Sequence, residues 1–189
     1  MNIKKTGIMT ECALLIALST VLSFFKVWNM PWGGSITLFS MLPVCYASVR
    51  HGIKWGMGTS FVYAAIQLFF GITMDGLLGW GLTGGVLAAC ILLDYIVAFT
   101  VLGFSGLFAG RGFAGVMAGT TLSILLRFVC HLLSGVYVFA SAGKLWDGFE
   151  TANTWLYSFV YNGCYMLPEL VMTLVGAAIV YKALINRKI

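Results

Sequence analysis

The chain has 189 residues, of which 60% are hydrophobic and only 9% charged, with 11 Lys and Arg against 6 Asp and Glu. A soluble domain carries about a quarter of its residues as charges, so this composition excludes a water-soluble monomer, and it excludes a disordered chain, which needs low hydrophobicity. Five cysteines in this length are sparse and odd for a secreted disulfide scaffold; what remains is an all-α integral membrane protein, read as a single membrane domain over residues 1–189.

At roughly 20 apolar residues per span, the chain holds at most about seven helices and leaves no room for a separate catalytic domain. Six apolar runs, separated by charges or turn residues, predict six transmembrane helices in one bundle. The first covers 8–25 and stops at Lys26. It lacks a small-residue cleavage site and is expected to be retained. Trp28, Asn29, Pro31, Trp32, Gly33 and Gly34 then form a turn-rich interfacial segment. The second run, 36–49, is short for a span and needs tilt or the preceding segment to complete it. The third covers 55–72, and Asp75 follows. Residues 76–85 are glycine-rich and apolar, compatible with a loop, a re-entrant piece or a helix start. The fourth and fifth runs, 86–108 and 113–139, are separated by Gly110, Arg111 and Gly112. A polar connection with Lys144, Asp147, Glu150 and Asn153 leads to the sixth, 154–184. The runs are continuous and leucine-rich, whereas strands of a membrane barrel alternate.

Six spans put both termini on one side. That side holds Lys4, Lys5, Arg50, Lys54, Arg111, Lys182, Arg187 and Lys188, and the other holds Lys26 and Lys144. Positive residues collect on the cytoplasmic side, so both termini are expected there, in a plasma membrane of prokaryotic type. The net charge of +5 then reflects topology; the basic residues are dispersed at helix ends, and no nucleic-acid partner is expected. The lipid bilayer is the expected surroundings.

An ionisable side chain inside a span costs roughly 2.5–3.5 kcal/mol on insertion scales and is a functional candidate by default. Four qualify: Asp94, Arg127, His131 and Glu169. Asp94 is eight residues into the fourth run from its outer end, about 12 Å deep at 1.5 Å per residue. His131 and Asn162 lie eight residues from the outer ends of their own runs, so three polar side chains on three helices share a level. Arg127 and His131 are four apart and share a helix face. Asp94 or Glu169 is the expected counter-charge for Arg127, as a structural ion pair. Glu169 follows Pro168, which frees a backbone carbonyl and can kink the helix, so a coupling role stands beside a packing one. Tyr95, Tyr137, Phe139 and Tyr157 fall near the same level. A carboxylate among aromatic faces suits an organic cation or a neutral heteroaromatic.

Trp28, Trp32, Trp146 and Trp155 are placed as an interfacial belt would be. Ala13 and Ala17 make a small-residue stripe that permits close helix contact. The cysteines lie in apolar runs with no CxxC spacing and read as packing. Nucleotide-binding, serine-hydrolase and zinc-protease motifs are absent from the sequence, so no cofactor is expected and uphill transport would draw on a partner or an ion gradient.

Four segments in register resemble the thiamine-specific substrate-binding subunit, or S component, of energy-coupling factor (ECF) vitamin transporters. They are PWGGSITL at 31–38 with Met41, Leu42, Pro43 and Arg50, His51, Gly52; LDYIVAF at 93–99 with GFSGLF at 103–108; LRFVCH at 126–131 with SGV at 134–136; and Tyr157, Ser158 with YNG at 161–163 and YMLPE at 165–169. The resemblance implies a six-helix subunit that captures thiamine near the outer surface and delivers it with a transmembrane coupling protein and two ATPases. It carries the vitamin-binding acid and tyrosine onto Asp94 and Tyr95, the histidine and glycine onto His131 and Gly135, and the last-span pair onto Tyr157 and Asn162. It sets the partner-facing stripe on Ala13 and Ala17. The chain departs from some members: its acid is Asp rather than Glu, Thr37, Leu38 and Phe39 hold no second acid, and Phe139 stands where others have Trp. Trp32 is a candidate replacement for that aromatic face. Alternatives left open are a thiamine precursor such as hydroxymethylpyrimidine as ligand, a stand-alone proton-coupled transporter using the buried charges, and a membrane enzyme with Asp94 and His131 as acid and base.

Overall fold

The computed structural model describes residues 3–30 and 34–185. It is helical throughout apart from two short hairpins. Helix α1 (Ile3–Ser23) is followed by strands β1 (Lys26–Asn29) and β2 (Ser35–Thr37), which pair antiparallel. Helix α2 (Leu42–His51) and helix α3 (Ile53–Thr73) follow, separated by Gly52 at φ 85. A left-handed φ is open to glycine at little cost, and it lets the chain reverse in one residue.

The fourth rod is composite. Helix α4 (Gly84–Cys90) runs into a π-helical stretch, Ile91–Val97, then one α turn, α5 (Ala98–Thr100), and a 3-10 segment, Val101–Gly106. After a second reversal at Gly112 come α6 (Gly112–Tyr137), the hairpin β3 (Gly143–Trp146) and β4 (Phe149–Thr151), and α7 (Thr154–Val180). Asn153 caps α7: its side-chain oxygen accepts from the amides of Trp155 (3.0 Å) and Leu156 (3.2 Å), two of the four donors a helix start leaves unpaired.

Among the described residues, four stretches are long and apolar enough to cross a membrane: Lys5–Ser23, Ile53–Thr73, Gly84–Tyr137 and Thr154–Ala183. The third of these is 54 residues long and doubles back near Gly112, so it supplies two rods. The second predicted span takes a different form from a single helix over 36–49. Its first residues are the strand β2, and α2 has ten residues, about 15 Å of helix against a hydrocarbon core of about 30 Å. Pro43 in the first turn fixes where this helix starts. The segment 76–85 is a 3-10 turn, Leu77–Gly79, and then the start of α4.

Helix α2 is held inside the bundle by close backbone approach. The Ser48 hydroxyl donates to the Gly103 carbonyl and accepts from the Gly106 amide at 3.0 Å. A Cβ at Gly103 would meet the backbone of Met57; small residues allow such contacts between apolar helices, where packing rather than water drives association. Met41, Val44, Tyr63, Leu102 and Ile124 form the centre of the core. At the end away from the cavity described below, Glu11 of α1 pairs with Arg50 of α2 at 2.7 Å and lies 3.1 Å from His51 Nε2. At the opposite end Lys26 meets Asp75 at 3.4 Å.

Candidate functional site

A cavity of about 330 Å³ lies between the helices, within the range of small-molecule sites. Along α7 its lining runs from Tyr157 to Glu169, roughly 18 Å at 1.5 Å per residue. Lys26, Asp75, Trp80, Phe139 and Ser141 line its outer end. The Lys26–Asp75 pair there is partly exposed, while Trp80 donates its indole N–H to the Asp75 carbonyl at 3.2 Å and packs against Phe139.

Midway, Asp94 sits in the π-helical part of the fourth rod. Such widened turns recur at functional sites, and here Asp94 and its neighbour Tyr95 both line the cavity. Asp94 Oδ1 lies 2.9 Å from His131 Nδ1, and Oδ2 accepts from the Ser134 hydroxyl and from the Cys90 thiol at 3.4 Å. Arg127 Nε donates to His131 Nε2 at 3.3 Å. An arginine N–H only donates, so Nε2 is the acceptor nitrogen; His131 is then the neutral tautomer with its proton on Nδ1, donating to Asp94. Arginine, imidazole and carboxylate form one chain across α6 and the fourth rod.

Asn162 joins the same level from α7. Its amide nitrogen donates to the carbonyls of Ser158 (2.9 Å) and His131 (3.3 Å), and its oxygen accepts from the Tyr165 hydroxyl at 2.6 Å. The structure thus brings together the three polar side chains that the sequence sets at one depth. Gly135 is what lets the helices meet there: a Cβ would collide with the Ser158 hydroxyl, which donates to the Leu132 carbonyl at 2.9 Å.

The inner end is lined by Thr37, Ser40, Tyr63, Phe99, Arg127 and Glu169. The expected ion pair of Arg127 is absent among the described residues. Arg127 sits over the Phe99 ring, 4.0 Å from its centroid, and its Nη1 is 2.8 Å from Met41 Sδ; it reaches Asp94 only through His131. Glu169 turns instead to β2, where its Oε1 accepts from the Thr37 amide (2.5 Å) and hydroxyl (2.6 Å). The reason is reach: β2 presents a free amide and a hydroxyl to this carboxylate, and Arg127 is drawn away along its own helix face to His131.

Asp94, Tyr95, His131, Gly135, Phe139, Tyr157 and Asn162 therefore all line the cavity, and so do Arg127 and Glu169. Trp32 lies outside the described residues. Ala13 and Ala17 face away, exposed on α1. Sequence reasoning missed Tyr161 and Tyr165, which form an aromatic wall with Tyr157: Tyr157 and Tyr161 are stacked at 6.3 Å, Tyr161 and Tyr165 edge-on at 6.1 Å. Their spacing of four along one helix was the available signal. It also missed Trp80, which arrives from the glycine-rich connection.

With His131 neutral, three lining carboxylates (Asp75, Asp94, Glu169) face two fixed cations (Lys26, Arg127). One net negative charge in an aromatic-lined site suits a cation.

Residues 9–188 match the family model described as thiamine transporter protein (Thia_YuaJ). The thiamine transporter ThiT of Bacillus subtilis is 28% identical over 86% of this chain and 83% of its own length. ThiT of Lacticaseibacillus paracasei is 24% identical over 91% of this chain and 85% of its own. A solved structure of ThiT from Listeria monocytogenes superimposes with a TM-score of 0.72 at 21% identity, covering 97% of each chain, so the two share a fold. With the family model covering nearly the whole chain, this is a membrane protein belonging to the thiamine transporter protein family.

Proposed function

We propose that the chain is the thiamine-binding S component of an ECF-type uptake transporter, capturing the vitamin from outside and delivering it with a separate coupling protein and two ATPase subunits. In this reading the bundle crosses the plasma membrane six times with both termini cytoplasmic, and the Lys26–Asp75 end of the cavity faces out. The carrying observation is the cavity itself: a hydrogen-bonded carboxylate, Asp94, opposite a tyrosine wall, with one net negative charge. Thiamine joins an aminopyrimidine to a permanently cationic thiazolium. Asp94 takes the aminopyrimidine, with His131 holding its carboxylate in place. Tyr95, Phe139, Tyr157 and Trp32 supply aromatic faces, Asn162 fixes the position of Tyr165, and Gly135 leaves room for the ligand. Ala13 and Ala17 form the face that meets the coupling protein.

The test is a thiamine titration of the detergent-purified chain, followed by quenching of tryptophan fluorescence. Saturable quenching at submicromolar thiamine is the expected result. Tight binding of hydroxymethylpyrimidine or another vitamin with no response to thiamine would replace the ligand. A second reading has one observation behind it, the Arg127–His131–Asp94 chain, which has the form of a proton relay. Uptake in cells without the ECF module, abolished by an uncoupler, would favour that stand-alone transporter over the S component.

A further inference from the structure

The charged groups of the cavity are unequally provided for. Lys26 and Asp75 pair with each other at the outer end. Asp94 has donors on both oxygens and is joined to Arg127 through His131. Glu169 is 3% exposed and also lines the cavity, yet only one of its oxygens is used. Oε1 takes both Thr37 donors, and Oε2 has no hydrogen-bond partner among the described residues. No Lys, Arg or His nitrogen of the described residues lies within ion-pair distance of it.

A buried carboxylate oxygen without a donor is costly, and such a group in a native structure calls for an explanation. Thr37 holds the carboxylate through two hydrogen bonds to Oε1, which orients it and leaves Oε2 buried and unpaired on a residue that lines the cavity. Once the Lys26–Asp75 and Arg127–His131–Asp94 sets are each balanced, Glu169 carries the remaining negative charge. The aromatic rings of Tyr63 and Tyr165 line the same cavity, and aromatic rings add to the attraction for a cation.

We propose that Glu169 is the charge partner of the bound organic cation, with its free Oε2 forming a subsite at the inner end of the cavity that selects a cationic ligand over a neutral one. This rests on the thiamine reading and deepens it. The two carboxylates divide the ligand: Asp94, already supplied with donors, is the acceptor for the neutral heterocycle, and Glu169 answers the positive ring. The Thr37 clamp is what makes Glu169 available, because it fixes the carboxylate without spending both oxygens.

The variant Glu169→Gln separates charge from shape. The amide keeps an oxygen for Thr37 and replaces Oε2 with an uncharged group of the same size. The purified variant is titrated with thiamine and with the neutral 4-amino-5-hydroxymethyl-2-methylpyrimidine, and its ligand-free melting temperature is measured beside the wild type. The expected result is a thiamine Kd raised tenfold or more, pyrimidine binding changed less than twofold, and a melting temperature within a few degrees. A thiamine Kd within twofold of wild type, or equal losses for both ligands, overturns the subsite. Should Glu169→Gln fold poorly, Thr37→Val is the second variant. It removes the hydroxyl half of the clamp and keeps the amide half and the charge, so a thiamine Kd raised more than the pyrimidine Kd supports the proposal, and equal losses for both ligands, or none for either, overturn the clamped subsite. Wild-type chain that binds no thiamine overturns the functional reading and the subsite together, an outcome separate from the others.

Discussion

Helices α6 and α7 bury nine and eleven of their residues, whereas among the described side chains α1 buries three, Cys12, Ser19 and Ser23. The α6–α7 side is locked internally. Ser158, Asn162, Tyr165, His131 and Ser134 hydrogen-bond to one another, to Asp94 or to the neighbouring backbone, so few polar groups are left to reorganise. The α1 side leaves Met9, Leu14, Leu18 and Val21 uncovered, and among its described side chains only Ser23 reaches the cavity. In a bilayer an exposed leucine has no hydrophobic reason to hide, so stability does not require α1 to be packed on both sides. The contrast suggests a division of labour: a rigid wall for recognition, and a wall whose outer face is free to meet another protein.

The sharpest way to break the comparison is at Gly135. Placing Leu there forces a side chain into Ser158 and the cavity at once, and overpacking a close contact costs about 1–3 kcal/mol before any loss of ligand space. Gly135→Leu is expected to abolish measurable thiamine binding, a change of more than a hundredfold in Kd by fluorescence titration. Binding within tenfold of wild type would mean that the α6–α7 wall is not rigid and that the site lies elsewhere.

Asp94 comes next. Asp94→Asn keeps a similar shape and an acceptor for His131 but removes the charge. We expect thiamine to bind about 1.5–3 kcal/mol more weakly, the value of a hydrogen bond to a charged group, which is about ten- to a hundredfold in Kd. Unchanged affinity in the same titration would remove Asp94 from the site.

How far these residues were legible in the sequence follows from the kind of signal each gave. Asp94, His131 and Asn162 stood out because a polar side chain deep in an apolar run has a high cost and a countable depth. Their convergence into one network was predictable from helical rise alone. The π-helical stretch at Ile91–Val97 was not, since its residues are the ordinary apolar content of any span. Glu169 was visible as a charge, but its partner was misjudged: the expected Arg127 lies on a neighbouring helix, and the actual donor, Thr37, is on a strand that the apolar run at 36–49 did not announce. Tyr161 and Tyr165 were hidden in an aromatic-rich helix, where core and site rings look alike until the packing is known. The short α2 was half-legible, since the run was seen to be too short for a span.

A smaller effect tests whether the locked wall depends on its helix start. Asn153→Ala removes the acceptor for the amides of Trp155 and Leu156. The expected cost is about 1 kcal/mol of stability, seen as a lower melting temperature of the detergent-purified protein. Thiamine affinity should stay within twofold, because Asn153 is outside the cavity lining. A large loss of affinity would show that the β3–β4 hairpin and the start of α7 shape the site and are more than its frame.

The smallest expected effect on binding belongs to α1, and it carries the most information about the other half of the comparison. Ala13 and Ala17 are exposed and outside the cavity lining. Replacing either with Trp adds a large side chain to the outer face and touches none of the hydrogen bonds that hold the site. Ala13→Trp and Ala17→Trp should therefore bind thiamine within twofold of wild type. The same substitutions should stop uptake in cells that contain the coupling protein and its ATPases, because a close helix contact tolerates small residues and not an indole. Binding and uptake would then separate along the line that divides the two walls. If uptake continued at the wild-type rate, the stripe would be a lipid-facing surface and the docking face would have to be sought on another helix. If binding fell with uptake, α1 would prove to be coupled to the cavity through Ser23 and Gln67, which are joined by a 3.1 Å hydrogen bond, and the two walls would be a single device.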